Sequence, residues 1–350
     1  MPLRDIIGQD NAVKALNAML GKEDINGAYL FLGPKGVGKF SAGIEFAKAI
    51  NCAKLGPDAC GECVSCKKME PTRAKARGSC GRNTEPAVVS VAGECIDSLN
   101  HPDLFIIRKE EGASFIKIDR IRDVIYQASL KPYEARKKIF IIAEAEDMNE
   151  ESQNALLKIL EEPRENQIFI LTTSAVSGIL PTVFSRCKVV KFNLLSQARI
   201  QEILINRQGF NEEEAVLFSR MALGSPGRAI AFKENDEIRE RDRMLNDFFL
   251  RKRAILREEA CDDKKYNDLD ASLGMLLSWY RDLLVSKFTQ DRNIFLNADR
   301  IEEIFSYSAR FSADKLERDI SSVMKTMNYI RRNINPKMAL FNMAIELERQ

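Results

Sequence analysis

The sequence predicts an α/β fold in which helices wrap a parallel β-sheet, followed by a region built only of helices. Up to about residue 190, short apolar runs alternate with segments whose apolar residues recur at helical spacing. After Leu195 the strand-like runs stop, and only helical patterns continue. A length of 350 residues fits two or three such domains.

The overall composition excludes several classes of protein. Hydrophobic residues make up 45% of the chain and charged residues 30%, as in a globular protein. A net charge of +2 argues against a strongly basic nucleic-acid binder, so any DNA contact would need a local patch or a partner. We find no secretory signal and no apolar run of about 18 residues, which predicts a cytoplasmic protein with reduced cysteines.

The order of predicted elements places the motifs. The predicted strands are 28–32, 104–107, 139–143, 168–172 and an edge strand at 189–192. The predicted helices are 12–20, 39–50, 152–162, 197–207, 211–222 and 226–233. Residues 70–99 are polar and irregular, which predicts an inserted loop. Charged stretches after residue 236 are interpreted as solvated helix faces.

The segment Gly33–Lys39, GPKGVGK, has the spacing of a phosphate-binding P-loop. A predicted strand precedes it and a predicted helix follows, which is the context that the motif requires. Gly33, Gly36 and Gly38 would let backbone N–H groups turn towards phosphates. Lys39 would reach the β- and γ-phosphates at the N-terminus of the helix.

The first Mg²⁺ ligand expected in this loop is missing. A P-loop needs Ser or Thr directly after its lysine, because the hydroxyl binds the metal. Here that position holds Phe40, which has no ligand oxygen. Ser41 does not replace it, since one helical position turns a side chain by about 100°.

The second expected ligand is missing as well. The apolar run 139–142 is followed by Ala143 and Glu144, so alanine occupies the position of the metal-binding aspartate. Using Glu146 and Asp147 instead would place Glu144 inside the buried strand, where an unpaired carboxylate is costly. Phosphoryl transfer depends on Mg²⁺ for positioning and charge neutralisation, so we expect no hydrolysis here. Weak nucleotide binding through the loop stays open.

Four cysteines cluster after the P-loop helix: Cys52, Cys60, Cys63 and Cys66. Two Cys-x-x-Cys steps share one residue, and four thiolates at these spacings can close a tetrahedral Zn²⁺ site. Such a site has no open position, so we predict a structural and not a catalytic zinc. Free thiols and an iron–sulfur cluster are the alternatives. Cys80 and Cys95 could compete as ligands, and Cys261 is predicted to pack in a helix.

Several further segments are more specific than the P-loop. They are Ile7–Gln9, His101–Asp103, Asn154–Pro163, Gln167–Thr173, Ser185–Cys187, Gly224–Arg228 and Asn333–Leu340. Together they span nearly the whole chain and resemble the clamp-loader branch of AAA+ proteins. The last one resembles the final collar helix of delta-prime subunits.

The resemblance implies roles for individual residues. Arg186, between Ser185 and Cys187, matches the arginine that reaches the ATP site of an adjacent subunit; a surface salt bridge is the alternative. Arg228 matches the sensor-2 arginine, although a structural ion pair is an equal alternative. Thr172 and Thr173 lie at the sensor-1 position, where a hydroxyl that caps a turn is equally plausible.

The resemblance also implies an organisation and partners. It predicts an AAA+ P-loop domain at 1–192, a helical lid at 193–235 and a helical collar domain at 236–350. The chain would join gamma/tau and delta subunits in a ring that loads a sliding clamp onto primer-template DNA. One alternative is an ATP-hydrolysing motor subunit of the gamma/tau type. Another is a different AAA+ protein, such as a branch-migration motor, which would form a ring of identical chains.

Three other features have structural interpretations. His101, the only histidine, precedes Pro102 and is predicted to occupy a turn or the core. Glu161 and Glu162 end a helix before Pro163 and are predicted to be structural. The aromatic pair at 279–280 is predicted to lie in a helical core, with a base-stacking platform as the alternative.

Overall fold

The computed structural model describes residues 2–21, 25–54, 56, 58–70, 97–98, 101–110, 113, 115–234, 237–251, 266–331 and 334–348. The chain divides into two compact units, Met1–Arg199 and Ile200–Gln350. Most of the predicted insertion at 70–99 lies outside the described residues, as do Cys80, Cys95 and Cys261. No helix within the described ranges is long and apolar enough to cross a membrane.

The first unit alternates strands and helices. Its strands are β1 (Gly27–Leu32), β2 (Asp97–Ser98), β3 (Leu104–Ile107), β4 (Lys138–Ile142), β5 (Gln167–Thr173) and β6 (Cys187–Lys191). Its helices are α1 (Asp10–Leu20), α2 (Lys39–Ile50), α3 (Val64–Lys68), α4 (Ile118–Ser129), α5 (Glu150–Glu161) and α6 (Pro181–Phe184). Helix α7 (Gln197–Gln208) begins at the boundary between the units.

The strands form one sheet in the order β2-β3-β4-β5-β1-β6. Five of them run parallel, and only the two-residue β2 is antiparallel to its neighbour β3. In a parallel sheet all carboxyl ends meet at one edge. The P-loop after β1 therefore lies at the same edge as the ends of β4 and β5, and the predicted AAA+ P-loop fold is confirmed.

Both faces of the sheet are covered, which explains why the strands read as continuous apolar runs. Every residue of β4 and β5 is buried. On one face Phe105, Phe140 and Phe169 stack in a row, with ring centres 5.0 and 5.1 Å apart. On the other face the ring of Phe46 from α2 meets that of Tyr29 edge-on at 5.4 Å. Such aromatic burial stabilises the unit by about 2–3 kcal/mol per side chain.

The predicted strands of the first unit are confirmed, with three corrections. Strand β4 ends at Ile142, so Ala143 lies outside it. The edge strand begins earlier than predicted, at Cys187, because it pairs with β1 from Ala28 onward. The predicted insertion also contributes a short strand, β2, which pairs with β3 and has too few residues to give a period-2 pattern.

The described residues of the second unit form helices and no strands, as predicted. After α7 come α8 (Glu212–Met221), α9 (Pro226–Glu234), α10 (Glu237–Arg251), α11 (Tyr266–Val285), α12 (Ile301–Ser308), α13 (Ala313–Arg331) and α14 (Pro336–Glu348). Trp279 and Tyr280 lie in its hydrophobic core, which confirms their predicted packing role. The finer division into a lid at 193–235 and a collar domain stays a prediction.

One charged residue of α10 departs from the predicted solvated face. The side chain of Arg241 is completely buried. Its guanidinium binds the carboxylate of Asp299 and donates to Oδ1 of Asn297 at 3.2 Å. Arg241 therefore ties α10 to the segment before α12, because a buried charge needs paired partners.

Candidate functional site

The P-loop has the backbone shape that its sequence predicts. Gly36 and Gly38 adopt positive φ angles of 76° and 99°, which side chains with a Cβ rarely tolerate. Gly33 is required for another reason: a Cβ there would lie 2.3 Å from the carbonyl oxygen of Phe192. Helix α2 begins directly after the loop at Lys39, so its N-terminal N–H groups face the loop.

Lys39 is turned back into its own loop. Its Nζ donates to the carbonyl oxygens of Gly33 at 2.6 Å and Pro34 at 2.7 Å. Burial lowers the pKa of this lysine, while the nearby carboxylates of Glu146 and Glu144 oppose that effect. The ammonium group thus stabilises the loop in the conformation seen here.

A hydrophobic and cationic environment replaces the two missing metal ligands. The Cζ atom of Arg108 lies 4.3 Å from the centre of the Phe40 ring, a cation–π contact. Ala143 N donates to Ile107 O at 2.9 Å, so the missing aspartate position lies beside Arg108. A ring and a methyl group therefore occupy the two positions at which a P-loop ATPase presents oxygens to Mg²⁺, and the Arg108 guanidinium packs on that ring.

The acidic residues after β4 are occupied by other partners. Glu144 has a left-handed backbone, with φ of 52°, and its carboxylate lies 3.0 Å from Lys35 Nζ of the P-loop. Asp147 pairs with Lys109 at 2.9 Å. Glu146 Oε1 accepts a hydrogen bond from Ser174 N at 2.8 Å. Asp147 is thus paired with a lysine, whereas the buried Oε2 atom of Glu146 accepts no hydrogen bond from the described residues.

The pKa of Glu146 reflects two opposing effects. Burial raises the pKa of the carboxyl group, but hydrogen bonds from the hydroxyl and amide of Ser174 outweigh burial and leave it below its usual value. Glu146 is therefore an anion at neutral pH, near the P-loop lysine.

Thr172 and Thr173 end β5 at this edge of the sheet. Thr172 Oγ1 accepts a hydrogen bond from Glu144 N at 3.1 Å. The hydroxyl of Thr173 donates to Ala175 O at 3.1 Å and accepts from Ala175 N at 3.2 Å. Both hydroxyls thus stabilise turns, and their sensor-1 role stays a prediction.

Gln9 stabilises the site through its side-chain amide. The sequence analysis names it only as part of the segment Ile7–Gln9 and gives it no role of its own. Its Nε2 donates to Val37 O of the P-loop at 3.2 Å and to Asn193 O at 2.7 Å. Its Oε1 accepts from Asn193 N at 3.0 Å. The amide therefore joins the P-loop to the chain that leaves β6, and only its buried contacts reveal this role.

Arg186 follows the short helix α6, and its side chain is 30% exposed. Its Nε donates to Oε1 of Glu161, the last residue of α5, at 2.8 Å, and its Nη2 binds the same oxygen. Its Nη1 donates to Thr182 O at 2.7 Å. In the single chain the arginine thus forms a surface salt bridge, and its role towards another subunit stays a prediction.

Arg228 lies in the second unit, on α9. Its backbone N donates to Ser225 Oγ at 3.3 Å, near the start of the helix. Its Cζ lies 5.6 Å from the ring centre of Phe232, one turn later. These contacts are local to the helix and leave its sensor-2 role a prediction.

The four cysteines converge beyond the other end of α2. The Sγ atoms of Cys52, Cys60, Cys63 and Cys66 all lie within 4.8 Å of one another. Backbone N–H groups point at three of the sulfurs: Cys60 N at Cys52, Cys63 N at Cys60 and Cys66 N at Cys63, at 3.3, 3.4 and 3.5 Å. Gly61, with φ of 72°, makes the turn between the ligands. The cluster can hold a metal ion.

The surroundings of the sulfurs affect their protonation differently. N–H groups of Cys63 and Glu62 lower the pKa of Cys60 to about 6. Burial raises the pKa of Cys66 to about 12. A buried thiolate of this kind is stable only beside a compensating positive charge, which a metal cation held by the four sulfurs would supply.

His101 lies at a buried turn, as predicted. Its Nδ1 accepts a hydrogen bond from Asp103 N at 3.1 Å, and its Nε2 lies 3.3 Å from Ser65 Oγ of α3. Burial lowers the pKa of His101. The fully buried carboxylate of Asp103 accepts three backbone hydrogen bonds, from the N–H groups of residues 133–135, at 2.7 to 2.8 Å.

Two known sequence families match the chain. Residues 8–76 and 76–196 match the family described as DNA polymerase III, delta subunit. Residues 235–349 match the family described as DNA polymerase III, delta subunit, C terminal.

Curated relatives agree with these matches. The delta' subunit of DNA polymerase III from Bacillus subtilis is 26% identical over 97% of this chain and 96% of its own length. The gamma subunit from Buchnera aphidicola is 31% identical over 57% of this chain and 48% of its own length. The gamma/tau subunit from Mycobacterium tuberculosis is 32% identical over 63% of this chain, which spans only 35% of that relative.

Solved structures are more distant. A gamma-subunit-related protein of DNA polymerase III from Thermotoga maritima has a TM-score of 0.43 and 17% identity, over 97% of this chain and 99% of that one. RuvB from the same organism also has a TM-score of 0.43, at 14% identity over 88% and 89%. The sequence matches, which cover most of both units, show that the chain belongs to the DNA polymerase III delta-subunit family, within the clamp-loader group of delta', gamma and tau subunits.

Proposed function

We propose that this chain is a delta-prime-type clamp-loader subunit whose own ATP site does not hydrolyse ATP. The observation that carries the proposal is the intact P-loop backbone beside two lost metal ligands, with Phe40 and Ala143 in their places. Positioning and charge neutralisation by Mg²⁺ are the main sources of catalysis in phosphoryl transfer. Without them, Gly33, Gly36 and Lys39 support weak nucleotide binding at most.

The family models support a delta-type subunit, because residues 235–349 match the C-terminal model of the delta-subunit family. The Bacillus subtilis delta' relative and this chain cover each other almost completely. In this assignment residues 193–235 form the lid, and residues 236–350 join the collar of a hetero-oligomeric ring.

Arg186 would be the catalytic contribution of the chain. In the ring it would reach the ATP bound by a neighbouring gamma/tau subunit, where a permanent planar cation suits phosphate oxygens. With gamma/tau and delta as partners, the ring would open the sliding clamp and place it on primer-template DNA in the cytoplasm.

The cysteine cluster would hold one structural Zn²⁺. Four sulfur donors close a tetrahedral site, and zinc needs no redox partner. An iron–sulfur cluster would use the same donors. When bound, the metal would link the segment after α2 to α3 and leave no position for a substrate.

Reconstitution with the cognate gamma/tau and delta subunits tests the proposed role. We expect Arg186→Ala to slow clamp loading at least tenfold, because an arginine finger is worth about 10³–10⁵ at the site it serves. Arg122→Ala is the matched control, since Arg122 is also a surface arginine in an ion pair, with Asp119 at 2.9 Å. Clamp loading at the normal rate by Arg186→Ala would refute the donated arginine.

A gamma/tau-like motor subunit is the second candidate. The complete set of P-loop glycines and Lys39 favours it, as does the identity of 31–32% to gamma and gamma/tau relatives. Measuring ATP turnover by the purified chain, alone and with its partners, distinguishes the two candidates. Magnesium-dependent ATP turnover by the lone chain would establish the motor and exclude the delta-prime role.

A further inference from the structure

The guanidinium of Arg186 is held on two sides. Its Nε and Nη2 edge faces one oxygen of Glu161, and its Nη1 donates to the carbonyl oxygen of Thr182. Glu161 ends the twelve-residue helix α5, and Thr182 lies in α6, which packs against α5. One side-chain and one backbone acceptor, on two packed helices, therefore orient the plane of the guanidinium relative to the first unit.

The contacts leave part of the guanidinium open. A guanidinium has five N–H groups, and these hydrogen bonds use one on each of its three nitrogens. One N–H on each terminal nitrogen is left for another acceptor. The side chain is 30% exposed, so an anion approaching from outside the chain can reach this terminal edge.

We propose that Glu161 is a positioning residue for Arg186: it holds the guanidinium so that its terminal edge faces the phosphate oxygens of a nucleotide bound by a neighbouring subunit. This inference rests on the proposed donation of Arg186. Glu161 does not touch the nucleotide. Glu161 restricts the rotation of the arginine side chain in advance. Less conformational entropy is then lost when the transition state forms.

A contribution to folding stability does not explain the ion pair between Glu161 and Arg186. Glu161 is 46% exposed, and an exposed ion pair contributes little to folding because water and salt screen it. Its effect on orientation is larger, since a small displacement of a catalytic group can reduce a rate by up to about 100-fold. Removing Glu161 should therefore change turnover much more than thermal stability.

The test uses the reconstituted complex with cognate gamma/tau and delta subunits. Steady-state ATPase in the presence of clamp and primed DNA is measured for E161A, E161Q, R186A and the double variant E161A/R186A. Glu162→Ala is the matched control, because Glu162 is the next residue, is also exposed, and forms no hydrogen bond with Arg186. Complex assembly is checked by size-exclusion chromatography.

We expect E161A to lower kcat about tenfold with an unchanged KM, since it affects the transition state and not ATP binding. E161Q keeps an acceptor oxygen but loses the charge, so we expect a smaller loss of about threefold. In the R186A background E161A should have no further effect, as expected for two residues that act as one unit.

Several outcomes would overturn the proposal. Unchanged or faster turnover by E161A would show that Glu161 is idle or restrains the arginine. An equal loss in the R186A background would show that Glu161 acts through another group. If R186A itself turns over normally, the donated arginine fails and Glu161 has nothing to position. A deficit in E161A with a normal R186A would refute both ideas.

Discussion

The two ends of helix α2 present opposite cases. Before its first residue, Lys39, lies a P-loop with the correct backbone shape and without its metal ligands. Just after its last residue, Ile50, begins a cluster in which all four cysteine ligands are present and close together. The P-loop keeps its shape without the residues that bind Mg²⁺, whereas the cysteine cluster has a complete set of four sulfur donors.

The difference shows what holds each site in place. The P-loop is stabilised by contacts that need no nucleotide: Gly33 packs against Phe192, Gln9 binds Val37, and Lys39 binds loop carbonyls. Its shape is therefore part of the fold, whatever it binds. Cys52 and Cys66 are buried in the core, but the contacts among the four cysteines are only weak N–H···S bonds. A bound cation would add the attraction that these contacts lack.

The largest effect should come from the cysteine cluster. Cys63→Ser removes the thiol shared by both Cys-x-x-Cys steps, while its hydroxyl can still cap the N-terminus of α3. We expect the metal content to fall from one zinc per chain to none, and Tm to fall by about 10 °C, because a structural metal contributes several kcal/mol. Elemental analysis and thermal unfolding measure the two quantities.

The control for this prediction is Cys187→Ala, which alters a thiol in β6 outside the cluster. It should keep its zinc. Loss of zinc from both variants, or from neither, would contradict the contrast between a P-loop without metal ligands and a cysteine cluster with a complete set of them.

An intermediate effect should follow from restoring the metal ligands of the P-loop. Phe40→Thr with Ala143→Asp returns a hydroxyl and a carboxylate to the two vacant ligand positions. We expect ADP to bind at least about tenfold more tightly with Mg²⁺ than with EDTA, a difference of roughly 1.4 kcal/mol. Titration with a fluorescent ADP analogue measures the affinities.

Each single substitution serves as a control and should give less than about a threefold effect, because one ligand leaves Mg²⁺ poorly held. Magnesium-dependent ADP binding by the unaltered chain would contradict the interpretation that this pocket has lost its metal.

The smallest effect concerns Glu146. Its pKa in the folded chain lies below its usual value of 4.5, so the folded state binds fewer protons there than the unfolded state. The stabilisation is complete above pH 4.5 and is lost as pH falls through the lower folded pKa. We expect Glu146→Gln to cost about 1 kcal/mol at pH 7, and the difference from the unaltered chain to shrink below pH 4.5.

Urea unfolding at pH 7 and in the acidic range measures this difference. Glu150→Gln, in the first turn of α5, is a control for general effects of removing a carboxylate on this side of the sheet. A difference between the Glu146→Gln variant and the unaltered chain that stays constant across the whole pH range would contradict the lowered pKa.

The sequence by itself determined both motifs, the five parallel strands and several helices, but it did not predict α3 or α4. Strands such as β4 and β5 are buried on both faces, so their apolar runs are continuous and their positions are correct to within a residue or so. The P-loop and the cysteine spacing are local patterns, because each depends on residues close together in the chain. The absence of ligand oxygens at Phe40 and Ala143 can be read directly from the motif positions.

Only the tertiary structure decided which distant residues meet. Gln9 and Asn193 are 184 positions apart, and Glu161 and Arg186 are 25 apart, so no local spacing predicts either contact. Arg241 looked like a solvated charge but is buried against Asp299, since the packing of helices decides which face of a charged helix is covered. Periodicity within an element is fixed by backbone geometry, whereas partners depend on how elements pack across the chain.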